Sequence, residues 1–147
     1  MNLRIYIPGL PAPQGSKRAI PNRSTGRVSL VESSARVKPW REDVRAAALD
    51  AYSGPALTGP LYVEITFWIP RPRGHYGTGR NADTLRPSAP EYPAGKPDVD
   101  KLARAILDAL TSAGTWRDDS QVVSLSAAKV YATRDHRPGC RIDIEEV

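Results

Sequence analysis

Two pairs of carboxylates, set at either end of one apolar segment, are the side chains in this sequence best suited to chemistry. Asp98 and Asp100 stand in Lys96-Pro97-Asp98-Val99-Asp100-Lys101-Leu102, and Asp118 and Asp119 in Trp116-Arg117-Asp118-Asp119-Ser120-Gln121-Val122-Val123. Carboxylate oxygens suit hard cations such as Mg²⁺, and clusters of them hold such ions beside phosphates. The surrounding chain is basic, with 21 Lys and Arg against 16 Asp and Glu and a net charge of +5. Its expected acidic partner is therefore a phosphate backbone.

A simpler duty competes for each carboxylate. Asp98 can cap the helix that follows, with Pro97 fixing the entry, and Asp100 in the first turn suits the positive end of the helix dipole. One Asp suffices for capping, however, and the pair is flanked by Lys96 and Lys101. Asp118-Asp119 then precedes a strand, where acidic side chains are disfavoured unless they have a task. The two acidic pairs are accordingly candidates to converge on one site, which the residues by themselves leave open. The geometry is demanding. A helix of about 16 residues spans roughly 24 Å. If the next strand runs antiparallel beside that helix, its first residues lie near Gly114, far from Asp98, unless a loop reversal or packing across the helix brings them back.

The elements that must position these residues are legible from periodicity. Leu3, Ile5 and Ile7 alternate with polar neighbours and read as a strand stopped at Pro8-Gly9. Residues 14–36 are polar and basic, carrying Lys17, Arg18, Arg23, Arg27 and Arg36, with a short strand-like piece from Arg27 to Val31. Pro39 fits a first helical turn, and Trp40, Val44, Ala47, Ala48 and Ala51 form one apolar stripe ended by Gly54-Pro55. Leu61, Val63, Ile65, Phe67 and Ile69 alternate as the clearest strand. Residues 71–97, rich in Pro, Gly and Arg, read as a flexible basic loop. Asp98 to Ala113 is the best helix, with Leu102, Ile106, Ala109, Leu110 and Ala113 on one face and Gly114 as its stop. Strands follow from Val122 to Tyr131 and from Arg141 to Glu145. The order points to an α+β fold: a small single domain over residues 1–147 with a mixed, mostly antiparallel sheet and two main helices. A crossover helix between parallel strands at Ile69 and Gln121 stays open.

Composition narrows the class further. The hydrophobic content of 40% and charged content of 25% are those of a globular protein with a real core. Cys140 is the lone cysteine, which excludes an internal disulfide. Met1 to Ile7 lacks a signal peptide's charged start and long apolar run, no stretch reaches membrane-spanning length, and no Walker-type glycine motif occurs. A cytoplasmic protein without a membrane or nucleotide cofactor is the expectation. His75 and His136 read as surface residues, and Cys140 as a small core or edge residue. Trp68 reads as a buried or interface aromatic, with base stacking beside Tyr76 as the alternative.

The run from Lys96 to Val123, with D-x-D, L-D-A-L, A-G-x-W and D-D-x-Q-V in order, closely resembles the signature of the RusA family of Holliday junction resolvases of bacteria and their phages. The strand ending in Pro-Gly-x-Pro, the basic segment and the helix near Trp40 fit more loosely. The resemblance implies a Mg²⁺-dependent endonuclease, with Mn²⁺ as a substitute, that cuts opposed strands of four-way DNA junctions as a homodimer in recombination and repair. It implies Asp98, Asp100 and Asp119 as metal ligands and catalytic residues with Arg104, and Asp118 and Lys101 behind them. DNA contacts fall to Lys17, Arg18, Arg71, Arg73, Lys96, Lys101 and Arg104. Two positions depart from the family pattern: Lys101 stands where Asn is frequent, and Arg104 where Lys is frequent. Arg forks onto phosphate but does not give up its proton, so Arg104 suits an electrostatic clamp better than an acid or base. The competing readings are a nuclease of broader taste for flaps and branched DNA, and a non-catalytic DNA-binding module.

Overall fold

The computed structural model describes residues 1–15 and 35–147 throughout, and the backbone of residues 17–21 and 28–32. Strand β1 (Asn2–Pro8) buries Ile5 and Ile7 on one face. A separate antiparallel hairpin joins β2 (Lys17–Pro21) to β3 (Val28–Glu32), Lys17 opposite Glu32. The third strand matches the piece expected near Arg27 to Val31; β2 has no apolar alternation and was not legible beforehand. Helix α1 (Val37–Ala51) buries Val37, Trp40, Val44 and Ala48, three or four residues apart, and holds Pro39 in its first turn. Strand β4 (Leu61–Ile69) alternates almost without fault, with Leu61, Val63, Ile65 and Phe67 buried. Helix α2 (Val99–Ala113) follows, then β5 (Val122–Tyr131) and β6 (Gly139–Glu146).

The main sheet runs β1-β6-β4-β5. Its β1–β6 and β6–β4 neighbours are antiparallel, and β4–β5 are parallel in register from Val63 opposite Leu125 to Ile69 opposite Tyr131. The sheet is thus mixed and mostly antiparallel, as expected, and the open question about the helix is answered: α2 is the crossover that parallel strands require. Both helices pack on one face of the sheet and against each other. Leu102, Ala105, Ile106 and Leu110 of α2 are wholly buried there against Ile65, Phe67, Ile142 and Ile144. Each such leucine, isoleucine or phenylalanine side chain contributes about 1.5–3 kcal/mol over an exposed one. The other face is open and holds a concavity of about 550 Å³ lined by Arg4, Tyr62, Glu64, Ser126, Arg141 and Asp143, none of them a candidate carboxylate.

This topology decides what meets what. The N-terminus of α2 lies at the end of the sheet where β4 and β5 finish, and the C-terminus of α2 at the end where β5 begins. Residues 71–97 cover the first end, with short 3-10 turns at Arg73–His75 and Gly79–Asn81 and backbone bonds Arg86 N–H to His75 O (2.8 Å) and Gly77 N–H to Thr84 O (3.0 Å). Among the described residues, no helix is long and apolar enough to cross a membrane.

Candidate metal and phosphate site

Asp98 holds the N-cap position of α2, with extended backbone (φ −70°, ψ 138°), yet its carboxylate accepts no hydrogen bond from the first turn. Its nearest cation is Lys101 Nζ at 3.6 Å, too long for a hydrogen bond, and both side chains are solvent-exposed. The capping duty that the sequence allowed is therefore not taken up. Asp100 sits exposed in the first turn, and Arg104, one turn further on, is also exposed. One end of α2 thus offers two uncommitted carboxylates beside Lys96, Lys101 and Arg104.

The backbone just before Asp98 is held from the sheet. Lys129 Nζ donates to Gly95 O (2.7 Å) and Pro97 O (2.8 Å). Lys129 lies opposite Phe67 in β5, on the inward parity shared by Leu125, Ala127 and Tyr131. A lysine at a core-facing strand position was the signal that could have found it, and it went unread. Gln14 is a second residue that went unread: its N–H donates to Lys101 O (3.0 Å), and its side-chain amide bridges Asp108 and Arg41, accepting from Arg41 Nη1 at 2.7 Å.

The second acidic pair divides its labour. Asp118 caps the 3-10 turn Asp119–Gln121: its Oδ1 accepts from Ser120 N–H at 2.8 Å, and Gln121 Oε1 accepts from Asp118 N–H at 3.0 Å. Gln121 Nε2 then donates to Leu57 O (2.9 Å) and Gly59 O (3.0 Å), locking the turn to the segment before β4. The Ser120 backbone N–H, then its hydroxyl, holds the Asp118 carboxyl below the usual carboxylate range. Asp119 moves the other way: loss of solvent, then the hydrogen bond and charge of Asp118, with a smaller push from Asp108, raise its pKa. Its side chain takes no part in capping the turn. Trp116, buried to 1% exposure with Nε1 donating to Thr111 Oγ1 at 2.7 Å, fixes this turn to the last turn of α2.

Asp119 therefore belongs to the far end of α2, within the electrostatic reach of Asp108. Asp100 and Asp108 are separated by about 12 Å of helix rise. Among the described residues, no three His, Cys, Asp or Glu side chains gather closely enough to hold a metal ion. One chain brings Asp98 and Asp100 together and leaves Asp119 apart. The reason is the one the sequence geometry foresaw: β5 runs antiparallel to α2, so its first residues return to the helix's C-terminal end. The donors fit a hard divalent cation in kind, all being carboxylate oxygens, but one chain supplies too few of them.

The remaining candidates are scattered. Arg73 and Lys96 are exposed near the Asp98 end. Arg71 is engaged within the chain, its guanidinium 4.2 Å from the Tyr131 ring centre and donating to Pro90 O at 2.7 Å. The side chains of Lys17 and Arg18 lie outside the described residues, as do Arg23 and Arg27. His75 is not a plain surface residue: its Nδ1 lies 3.2 Å from Arg71 Nη1 and its ring meets Tyr131 edge-on. His136 is exposed and stacks on Trp68, which is buried (centroids 4.9 Å apart, planes within 7°). Cys140 is a core residue, and burial pushes its thiol pKa far up.

The family described as endodeoxyribonuclease RusA matches residues 8–145. The chain is 48% identical over 135 residues, 92% of its length and 91% of the relative's, to the crossover junction endodeoxyribonuclease RusA of Shigella sonnei (strain Ss046). It is 26% identical over 145 residues, 99% of its length and 96% of the relative's, to the uncharacterized protein YqaN of Bacillus subtilis (strain 168). The crossover junction endodeoxyribonuclease of Enterobacteria phage 82 shares 48% identity over 40 residues, 27% of this chain and 33% of the relative.

Proposed function

Since the chain belongs to the RusA endodeoxyribonuclease family, we propose that it is a Mg²⁺-dependent endonuclease that resolves four-way DNA junctions by paired cuts, acting as a homodimer in the cytoplasm during recombination and repair. The observation that carries the catalytic part is the unspent carboxylate of Asp98 at a helix N-cap, beside Asp100 and among cations. A carboxylate free at a position where a backbone bond is on offer is available for a ligand instead.

Asp98 and Asp100 of one chain, with Asp119 of a second, would hold the metal. When bound, such an ion polarises the scissile phosphate and acidifies a coordinated water. In the hydrolysis a water oxygen bonds to phosphorus while the ester oxygen leaves and takes up a proton. Arg104 and Lys101, exposed beside Asp98 and Asp100, would offset the charge that builds on the phosphate oxygens. Arg73, Lys96 and the basic residues Lys17 and Arg18 neutralise flanking phosphates. Asp118 keeps the Asp119 turn in shape rather than meeting the ion. Two symmetric sites match the two equivalent strands of a junction.

The test is a panel of four-way junction, flap and plain duplex, each with and without Mg²⁺, run on the wild type and on Asp100→Asn. Metal-dependent cutting of the junction in preference to the flap, lost in the variant with junction binding kept or tightened, is the expected result. Equal cutting of flap and junction would replace the proposal with a broader nuclease. Binding without cleavage in any metal would leave a DNA-binding module.

A further inference from the structure

Strand β4 alternates between a buried and an open face until Trp68, which falls on the open parity with Tyr62, Glu64 and Thr66 and is nevertheless buried. The ring of His136 covers it, with centroids 4.9 Å apart and planes within 7°. The turn that carries His136 is closed on itself: Thr133 N–H donates to His136 O at 2.8 Å, and His136 N–H donates to Thr133 Oγ1 at 3.1 Å. The imidazole is thus held over the indole by its own backbone, while His136 as a residue stays exposed. A flat ring fixed on an indole, with its other face in water, is a platform for stacking.

Beside this ring pair lies a second concavity, of about 390 Å³, bounded by Tyr6, Pro8, Trp68, His136, Arg137 and Pro138. Tyr6 is 59% exposed, an aromatic ring that serves no core. In the turn at the rim, Arg134 and Arg137 are exposed and outnumber Asp135. Aromatic walls with cations at the rim match a nucleobase carried on its phosphate strand. The concavity also lies within reach of the α2 carboxylates. Gly9 N–H bonds Pro138 O at its wall (3.1 Å), and Gln14 N–H bonds Lys101 O in the first turn of α2 (3.0 Å). Residues 9–14 join these two points, so at most about 18 Å separates them. About five stacked nucleotides, at about 3.4 Å each, cover that distance.

We infer that this concavity takes one unstacked nucleobase from the DNA strand held at the α2 carboxylates. The base lies on the outer face of His136, Trp68 backs the imidazole, Tyr6 flanks the base, and Arg137 meets its phosphate. A base is free to enter only where pairing has been given up, and extrusion costs least where a strand is already unpaired. The pocket therefore favours branched DNA, with open positions at its centre, over plain duplex. Stacking accepts any base, since every base has a π-face, so the pocket selects for unpaired structure rather than for sequence. The inference deepens the nuclease reading and rests on it for the identity of the strand.

Four-way junctions carrying a single abasic nucleotide at successive positions within about five nucleotides of the branch point, titrated without divalent metal against the full-length wild type, His136→Ala and His136→Phe, test it. Wild-type binding should weaken about tenfold at one abasic position, the usual worth of a base stacked on an aromatic ring. His136→Ala should bind the intact junction about tenfold more weakly and lose nothing further from that same abasic strand. His136→Phe, which keeps a flat ring, should restore both the affinity and the abasic sensitivity. Arg137→Ala should instead weaken every strand alike and lower the salt dependence of binding. A wild type indifferent to every abasic position, a His136→Ala protein as sensitive to the abasic strand as wild type, or a His136→Phe protein that binds no better than His136→Ala overturns the inference. Metal-dependent junction cutting without this coupling would spare the nuclease reading and sink the pocket. The coupling in a protein that cuts no DNA in Mg²⁺ or Mn²⁺ would keep the pocket and sink the nuclease reading.

Discussion

Replacing Lys129 by Met removes the tie between β5 and the backbone ahead of Asp98 while keeping the length and apolar stem of the side chain. Two charge-assisted bonds are lost, to Gly95 O at 2.7 Å and Pro97 O at 2.8 Å. Each such bond is worth about 1.5–3 kcal/mol when buried. Lys129 is only half-buried, so water replaces part of what is lost, and a net cost of about 2 kcal/mol is reasonable. If that energy holds the Asp98 segment in its metal-competent form, the competent fraction falls about thirtyfold, and apparent metal affinity falls with it. Calorimetric Mg²⁺ or Mn²⁺ titration should show the shift, and hydrogen exchange should quicken at the Leu102 amide, which donates to Asp98 O at 3.1 Å. Maximal cleavage at saturating metal should change far less than the metal midpoint. Lys129→Arg, which keeps a cation, should recover part of the affinity. A Lys129→Met protein with an unchanged metal midpoint and unchanged exchange at Leu102 would refute the reasoning.

Asp100→Asn and Asp119→Asn should each be inactive alone, yet an equal mixture that exchanges subunits should recover about a quarter of wild-type nicking, because half of the dimers are mixed and each has one intact site; no recovery in exchanged mixtures would place each site within one chain. Carboxyl NMR titration should find Asp119 above and Asp118 below the usual carboxylate range. For Asp118, whose folded pKa is depressed, the stabilisation is present above the unfolded value and is lost as pH falls through the folded one. For Asp119, whose folded pKa is raised, the ionised form is disfavoured by folding, so falling pH relieves that cost, and metal affinity drops as the carboxylate protonates. Gly139→Ala should destabilise by about 2–3 kcal/mol, lowering Tm by roughly 4–10 °C, because Gly139 has φ +153° and an added Cβ would collide with Ile7 O; a melt within a degree of wild type would contradict this.

Sequence periodicity determined β4, β5 and α2 almost to the residue. The physical reason is local: a strand alternates faces every residue and a helix returns every 3.6, so partition between core and water writes itself into the order of side chains. Gly114 as the end of α2 was legible for the same kind of reason, since its φ of 75° is one that few other residues adopt. The candidate carboxylates were legible as residue types, and the family resemblance as a run of motifs. Tertiary structure alone decided which duty each carboxylate performs. Asp98 keeps its oxygens free at an N-cap, whereas Asp118, alike in sequence, spends its own on Ser120 N–H. It also decided that β4 and β5 are parallel neighbours, which sends Asp119 to the far end of α2. Lys129 gained its role only when the end of β5 met the loop before Asp98. These outcomes depend on which distant segments pair and in which direction. No local pattern encodes that, because it follows from how two helices and four strands together cover one core.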